Sequence, residues 1–221
     1  MNIAEHIQNI KSKLPQTVAL IAVSKTKPIS DIIEAYRAGQ RIFAENRVQE
    51  MTQKYEQLPK DIEWHLIGHL QTNKVKLIAN FVSLIHSVDS VSLLKEIDKQ
   101  AKKCNRIINV LLQFYIAKEE TKFGFDDNEA MQMLESDEYK SLKNIQICGV
   151  MGMATYTDDE KTVADEFTNL NEIFQRLKKN YFATTNAFKE ISMGMSGDYK
   201  TAIKCGSTMV RIGSLIFGSR Y

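Results

Sequence analysis

The chain has 221 residues, 43% of them hydrophobic and 25% charged, which is enough to bury a full core without disulfide or metal support. Its formal net charge of +2 argues against nucleic acid or a membrane surface as the main partner, and its three widely spaced cysteines form neither a disulfide framework nor a zinc-binding pair. No segment has the roughly 20 apolar residues of a membrane span or the apolar centre of a signal peptide, so we expect a cytoplasmic protein.

Strand-like and helical patterns alternate along the whole chain. An amphipathic helix comes first, over residues 1–14, with isoleucines at positions 3, 7 and 10 on one stripe. Eight short runs of strand character follow, at 18–23, 41–44, 62–67, 82–88, 106–114, 145–150, 190–193 and 209–213. Helical patterns separate these runs, at 28–39, 47–57, 73–78, from 89 or 90 onward, near 128–134, at 159–179 and from 197 onward.

This alternation predicts parallel β–α–β units, and eight units fit a closed barrel better than an open sheet. We therefore predict an α/β fold, a single (β/α)8 TIM barrel over residues 1–221, with an extra N-terminal helix. In such a barrel, the residues just after each strand form the face that carries the functional site. Here they are Ser24, Lys25, Glu45, Asn46, Gly68, His69, Asp89, Met151, Gly152, Gly194, Met195, Ser196, Gly213 and Ser214.

Lys25 is the first candidate for chemistry, because it closely follows the apolar run at 18–23. A lysine at the lip of a barrel strand has an apolar stem and a polar mouth in front of it. Burial there lowers the pKa of the amine and frees it to attack an aldehyde. The alternative is an ordinary surface lysine whose stem lies along apolar surface.

Two loops near the end of the chain have the composition of a phosphate site. Ser196 and Gly197 follow the seventh strand at a predicted helix start, where exposed N–H groups favour an anion. Gly213 and Ser214 follow the eighth strand, and phosphate sites in this class of barrel commonly use these two loops. Each feature alone also fits a helix cap or a turn.

Arg211 lies two residues before Gly213, so strand alternation places both on the interior face of the barrel. A buried arginine needs a partner. One candidate is the pyridine nitrogen of pyridoxal 5′-phosphate (PLP), an atom that arginine or aspartate usually faces. The other candidate is a structural salt bridge within the barrel, with a residue such as Glu45.

Ten stretches of the chain resemble, in the same order, the YggS/PROSC family of PLP-binding homeostasis proteins. They are AVSKTKP at 22–28, FAEN at 43–46, VQE at 48–50, WHLIG at 64–68, LQTNK at 70–74, HSVD at 86–89, EETKFG at 119–124, ISMGMS at 191–196, VRIG at 210–213 and IFG at 216–218. The chain departs from the family pattern at Ala44, Arg47, Phe114 and Tyr115, which lie at the expected rim of the pocket. The resemblance implies a barrel like the N-terminal domain of alanine racemase.

The resemblance also implies a set of cofactor-binding residues. PLP is expected as a Schiff base on Lys25, with Lys27 ranked second and Lys122 third for this role. Arg211 is expected to face the ring nitrogen. The remaining matches are the phosphate-binding residues Ser196, Gly213 and Ser214, and two residues near the cofactor, Asn46 and His65.

The sequence favours a carrier or buffer of PLP without catalytic turnover. An arginine facing the pyridine nitrogen disfavours its protonation and so weakens the electron sink that most PLP chemistry needs. Racemisation also needs a second acid or base opposite the lysine. In the racemases that resemble this barrel it is a tyrosine from a second domain, which this chain, ending at Tyr221, is expected to lack. Tyr115 and Tyr156 could lie near the mouth of the barrel, but nothing in the sequence places their hydroxyls over the cofactor, and we expect packed aromatics.

Two alternatives stay open, a small PLP-dependent amino-acid racemase and an unliganded interaction module of the same fold. For the favoured function, PLP is the expected ligand and PLP-dependent apo-enzymes are candidate recipients. We expect a monomer with no metal site.

Overall fold

Eight parallel strands close into a barrel in which each strand pairs with the next and the eighth pairs with the first. The computed structural model describes residues 2–117 and 123–218. The strands are β1 (Ala19–Val23), β2 (Ile42–Glu45), β3 (Glu63–Leu66), β4 (Leu84–Val88), β5 (Ile108–Gln113), β6 (Ile145–Met151), β7 (Glu190–Ser192) and β8 (Met209–Ile212). The predicted (β/α)8 barrel is therefore confirmed.

Helices surround the strands on the outside. They are α1 (Ile3–Lys11), α2 (Ile29–Arg37), α3 (Val48–Gln57), α4 (Val91–Lys103), α5 (Asp127–Glu135), α6 (Asp137–Ser141), α7 (Glu160–Tyr181), α8 (Tyr199–Lys204) and α9 (Ser214–Phe217), with a 3-10 helix (Thr72–Leu77) between β3 and β4. The predicted extra helix α1 precedes the first strand, buries Ile7 and Ile10, and packs against α2 and α9. None of the helices in the described ranges is both long and apolar enough to cross a membrane.

Alternation along the strands divides the core into two layers. Along β1, Ile21 and Val23 face the barrel interior, whereas Leu20 and Ala22 pack against the helices. Arg211 on β8 pairs with Ile21 across the ladder that closes the barrel, so its side chain is on the interior side, as predicted. The interior layer is thus apolar at its base and carries a buried guanidinium.

Three of the differences from the predicted elements have a local reason. β5 begins later than predicted because Arg106 leaves the ladder and donates to the carbonyl oxygens of Ala79 and Val82, at 2.6 and 2.8 Å. The helix predicted near 128–134 is followed by a second one, because the Ser136 hydroxyl accepts the N–H of Tyr139 and caps a new start. The segment predicted as a helix at 73–78 is a 3-10 helix, since threonine, asparagine and valine lower its helix propensity.

Candidate functional site

A cavity of about 520 Å³ opens at the C-terminal ends of the strands. Six of the seven predicted site residues line it, namely Lys25, Asn46, Ser196, Arg211, Gly213 and Ser214. Apolar side chains, including Val23, Ile67 and Met153, form much of the remaining wall. A concave, mostly apolar site with a few convergent polar groups is typical of small-molecule binding.

Lys25 reaches this cavity because the β1 ladder continues one residue beyond the strand. The N–H of Ser24 donates to the carbonyl oxygen of Ala44 at 3.1 Å, and Ser24 itself is fully buried, which leaves Lys25 half-buried at the lip. Lys27 also lines the cavity, but its Nζ donates to the carbonyl oxygen of Phe217 at 2.9 Å. The third-ranked lysine, Lys122, lies outside the described residues.

A hydrogen bond joins the two loops that are predicted to bind phosphate. The N–H of Gly213 donates to Oγ of Ser196 at 3.3 Å, which joins the loop after β7 to the loop after β8. The α-carbon of Gly213 also lies against β1, because an added Cβ would come within 3.2 Å of the carbonyl oxygen of Val23. The helix after β7 was predicted to begin near Gly197, but it begins at Tyr199 with Asp198 as its N-cap, so Ser196 precedes the helix by a short turn.

Asn46 contributes an unsatisfied acceptor to the cavity wall. Its Oδ1 is buried and has no hydrogen-bond partner among the described residues. Gly68 lets the loop after β3 pack closely on Asn46, since a Cβ on Gly68 would lie 2.3 Å from the Asn46 carbonyl oxygen. The position therefore offers an oxygen to a ligand that carries a hydroxyl or amine donor.

Arg211 lies at the edge of the cavity and is 4% exposed. Its Nη1 donates to the carbonyl oxygen and Oγ of Ser192, at 2.7 and 2.6 Å, and its Nη2 donates to the carbonyl oxygen of Gly152 at 3.0 Å. Burial lowers the pKa of Arg211 to about 10, against the opposing effect of Asp198. The proposed salt bridge to Glu45 is wrong, because Glu45 pairs with Lys54.

His65 does not line the cavity, in contrast to the other six predicted residues. It is buried inside the barrel, where its Nδ1 lies 3.0 Å from Nε2 of His86. Nδ1 of His86 lies 2.9 Å from Oγ of Ser192, the hydroxyl that also accepts from Arg211. His65 thus connects to Arg211 through two side chains, which is an indirect role and not a contact with a ligand in the cavity.

Both histidines of this chain of hydrogen bonds are neutral. Burial lowers the pKa of His65 to about 3, and burial, followed by the effects of His65 and Arg211, lowers the pKa of His86 well below its usual value. Because Arg211 only donates, one arrangement fits all of these contacts: the Ser192 hydroxyl donates to Nδ1 of His86, and Nε2–H of His86 donates to Nδ1 of His65. The Ser192 hydroxyl then accepts a hydrogen bond from the Arg211 guanidinium, and the two neutral histidines behind it add no charge.

Mild acid is expected to destabilise the protein through these two histidines. Below pH 6.5 an unfolded histidine binds a proton that the folded one does not, so the free energy of unfolding falls as the pH drops from 6.5 toward about 3. The loss is at most about 1.4 kcal/mol per pH unit for each histidine. Urea denaturation at pH 7, 6 and 5 measures it, and His65→Gln should make the decline shallower. An equal slope in the two proteins would contradict this assignment.

Tyr156 differs from its prediction as a packed aromatic. It is 97% exposed and lies at the rim of the cavity, because the loop between β6 and α7 carries the ring outward from the core. Tyr115 is half-buried, and its N–H donates to the carbonyl oxygen of Phe125 at 3.2 Å. The prediction of a packed aromatic is therefore wrong for Tyr156.

Three buried polar residues behind the cavity were not among the predicted site residues, namely His86, Ser192 and Lys54. His86 and Ser192 are polar residues inside apolar strand runs, a pattern that calls for partners inside the barrel. Lys54 lies one helical turn after Glu50, on the face of α3 that must cover β2. These signals were present in the sequence, but the partners are distant along the chain.

Comparisons with known proteins agree with this architecture. The sequence model of the family "Alanine racemase, N-terminal domain" matches residues 1–221. The pyridoxal phosphate homeostasis protein of Pasteurella multocida is 38% identical over 99% of this chain and 96% of its own length. That of Aquifex aeolicus is 41% identical over 91% of this chain and 86% of its own length.

Solved structures of a similar protein also agree with this architecture. PipY of Synechococcus elongatus, with PLP bound, is 36% identical to this chain, with a TM-score of 0.89 over 98% of this chain and 100% of PipY. Its structure without PLP has a TM-score of 0.92 over the same shares of the two chains. The chain therefore belongs to the alanine racemase N-terminal domain family and to the pyridoxal phosphate homeostasis proteins within it.

Proposed function

We propose that this protein binds PLP in the cavity described above and carries or buffers it without catalytic turnover. The observation that supports this most is the convergence of Lys25, Arg211 and the tied loops of Ser196 and Gly213 on one cavity. PLP requires these groups, namely a primary amine for its aldehyde, donors for its phosphate and a partner for its ring nitrogen. The similarity to homeostasis proteins and to PLP-bound PipY agrees with this ligand.

Two further features of the cavity fit PLP. The buried Oδ1 of Asn46 lacks a partner among the described residues and can accept a hydrogen bond from a hydroxyl group of the cofactor. Gly213 has no side chain, so a phosphate can approach its backbone and that of Ser214 closely. In this assignment Lys25 binds the aldehyde carbon, Ser196 donates to the phosphate, and His65 acts only through Arg211.

The proposed absence of turnover rests on the groups around the cofactor ring. PLP, when bound, supplies an aldehyde and a ring that can accept electrons. Arg211 stays protonated at neutral pH because its pKa is about 10, and a cation facing the ring nitrogen disfavours a proton there. Racemisation would further need an acid or base opposite Lys25.

We also infer that the protein is a cytoplasmic monomer of one domain and that it can pass PLP to apo-enzymes.

Borohydride reduction followed by peptide mapping tests the ligand and its position. Reduction fixes PLP on the amine that holds it, so the pyridoxyl group is expected on Lys25 and the purified protein is expected to be yellow. A label on Lys27 or Lys122, with Lys25 unlabelled, would contradict the assignment. A protein that takes up no PLP at all would support the unliganded module.

Proton exchange in deuterium oxide separates the carrier from the racemase. We expect no deuterium at the α-carbon of D- or L-amino acids beyond what free PLP causes at the same concentration. Exchange above that level, lost in Lys25→Ala, would favour the small racemase.

A further inference from the structure

A cluster of three charged side chains, two of them buried and one partly buried, lies behind Lys25, outside the cavity. It consists of Glu45 at the end of β2 and Glu50 and Lys54 on α3. Glu45 is 0% exposed and Lys54 is 5% exposed, and none of the three is among the residues that line the cavity. Glu45 belongs to the motif FAEN and Glu50 to the motif VQE, and the proposed function gives neither carboxylate a role.

Lys54 holds this cluster together. Its Nζ donates to Oε1 of Glu45 at 2.9 Å, to Oε1 of Glu50 at 2.7 Å and to the carbonyl oxygen of Ser24 at 2.8 Å. An ammonium group has three hydrogens, so these acceptors use all of them. Burial raises the pKa of Glu45, while the neighbouring Lys54 acts in the opposite direction. The ammonium thus compensates for the burial of a carboxylate that has little access to water.

The two carboxylates contact both neighbours of Lys25 in the chain. Oγ of Ser24 donates to Oε1 of Glu45 at 2.6 Å, and the N–H of Thr26 donates to Oε1 of Glu50 at 2.6 Å. Thr26 has φ of 67°, a left-handed conformation that a β-branched residue keeps only where its surroundings hold it. The backbone is therefore fixed immediately before and immediately after Lys25.

We propose that Lys54 is a positioning residue for Lys25. Through Ser24, Glu45 and Glu50 it sets the backbone direction from which the Lys25 amine enters the cavity. Since the proposal concerns the amine that is to bind PLP, it rests on the proposed function. The alternative is a cluster that only stabilises the packing of α3 on the barrel and has no effect on the placement of the amine.

The test separates covalent capture from simple binding. Capture of PLP is followed by absorbance, and simple binding is measured with pyridoxine 5′-phosphate, which has an alcohol in place of the aldehyde and cannot link to an amine. In Lys54→Met and Glu50→Ala we expect capture to slow by about 10- to 100-fold, because a misplacement of about 1 Å costs that much. The affinity for pyridoxine 5′-phosphate should stay within about twofold, since Arg211, Asn46 and the loops of Ser196 and Gly213 are unchanged in both variants.

Two further variants give this test its controls. Glu50→Gln keeps an oxygen that can accept the N–H of Thr26, so it should restore most of the capture rate lost in Glu50→Ala. Asp165→Ala removes an ion pair of the same i,i+4 spacing as Glu50 and Lys54, with Lys161 on α7, and should leave capture unchanged.

Several outcomes would overturn the positioning role. One is capture at the wild-type rate in both Lys54→Met and Glu50→Ala. Another is an equal loss of capture and of pyridoxine 5′-phosphate affinity, which a merely structural cluster predicts. If Lys54→Met does not fold, the comparison of Glu50→Ala with Glu50→Gln tests the positioning role instead. If wild-type protein forms no link to Lys25, the proposed function itself fails, and this inference fails with it.

Discussion

Lys25→Ala is expected to abolish covalent PLP binding while the barrel stays folded. A link to the aldehyde needs a primary amine that is neutral at the moment of attack, and the nearest alternative, Lys27, donates to the carbonyl oxygen of Phe217. Lys25 is only half-buried at the lip, and the variant keeps the fully buried Ser24 with its hydrogen bond to Glu45, so we expect the core to be retained. We expect loss of the absorbance of linked PLP, a near-unchanged melting temperature and residual loose binding through the phosphate loops.

Two controls sharpen this prediction. Lys25→Arg keeps the positive charge but cannot form the link, so it should behave like Lys25→Ala. Lys76→Ala removes an exposed lysine of the 3-10 helix and should keep the full signal. If Lys25→Ala still becomes labelled after borohydride reduction, then another amine holds the cofactor.

Ser196→Ala combined with Gly213→Val is expected to cause the second-largest loss of PLP. Ser196→Ala removes the proposed donor to the phosphate and also breaks the hydrogen bond between the two loops, because the Gly213 N–H loses its acceptor. A side chain at position 213 crowds Val23 and blocks the approach to the backbone. Loss of one hydrogen bond to a charged group costs about 1.5–3 kcal/mol, so retention under dialysis should fall by about 10- to 100-fold or more.

The loss should be specific to the phosphate. Ser30→Ala, at an exposed serine of α2, serves as the matched control and should retain PLP like the wild type. Pyridoxal without its phosphate should bind the double variant and the wild type about equally. If the double variant holds PLP through dialysis as the wild type does, the phosphate lies elsewhere in the cavity.

The barrel was predictable because the sequence patterns that indicate its strands and helices are local. Each strand and helix has its own hydrophobic period, and eight repeats of one pattern leave little choice of topology. Element ends were less predictable, since they depend on contacts with distant segments. Arg106 continues a strand pattern in the sequence, yet its bonds to Ala79 and Val82 remove it from the ladder.

In the candidate site, the residues that follow the strands were predictable, and the residues behind them were not. Strand ends identify Lys25, Ser196 and Gly213, because every strand of a parallel barrel ends on the same face. The residues behind them were not predictable: Ser192 meets His86, and Lys54 meets Ser24, only once the fold brings separate strands and helices together. His65 shows the limit of resemblance, which indicates proximity to the site without distinguishing a wall residue from one inside the barrel.

The seam where the barrel closes runs through the candidate site. β1 and β8 pair from Ala19 and Met209 to Ala22 and Ile212. The cavity takes Lys25 from the loop after the first strand and the proposed phosphate loops from the ends of the last two strands. During translation the amine leaves the ribosome early, and the phosphate loops leave it near the end. On the proposed function, a growing or truncated chain cannot take up the cofactor, and the yellow colour of the protein would report finished, closed molecules.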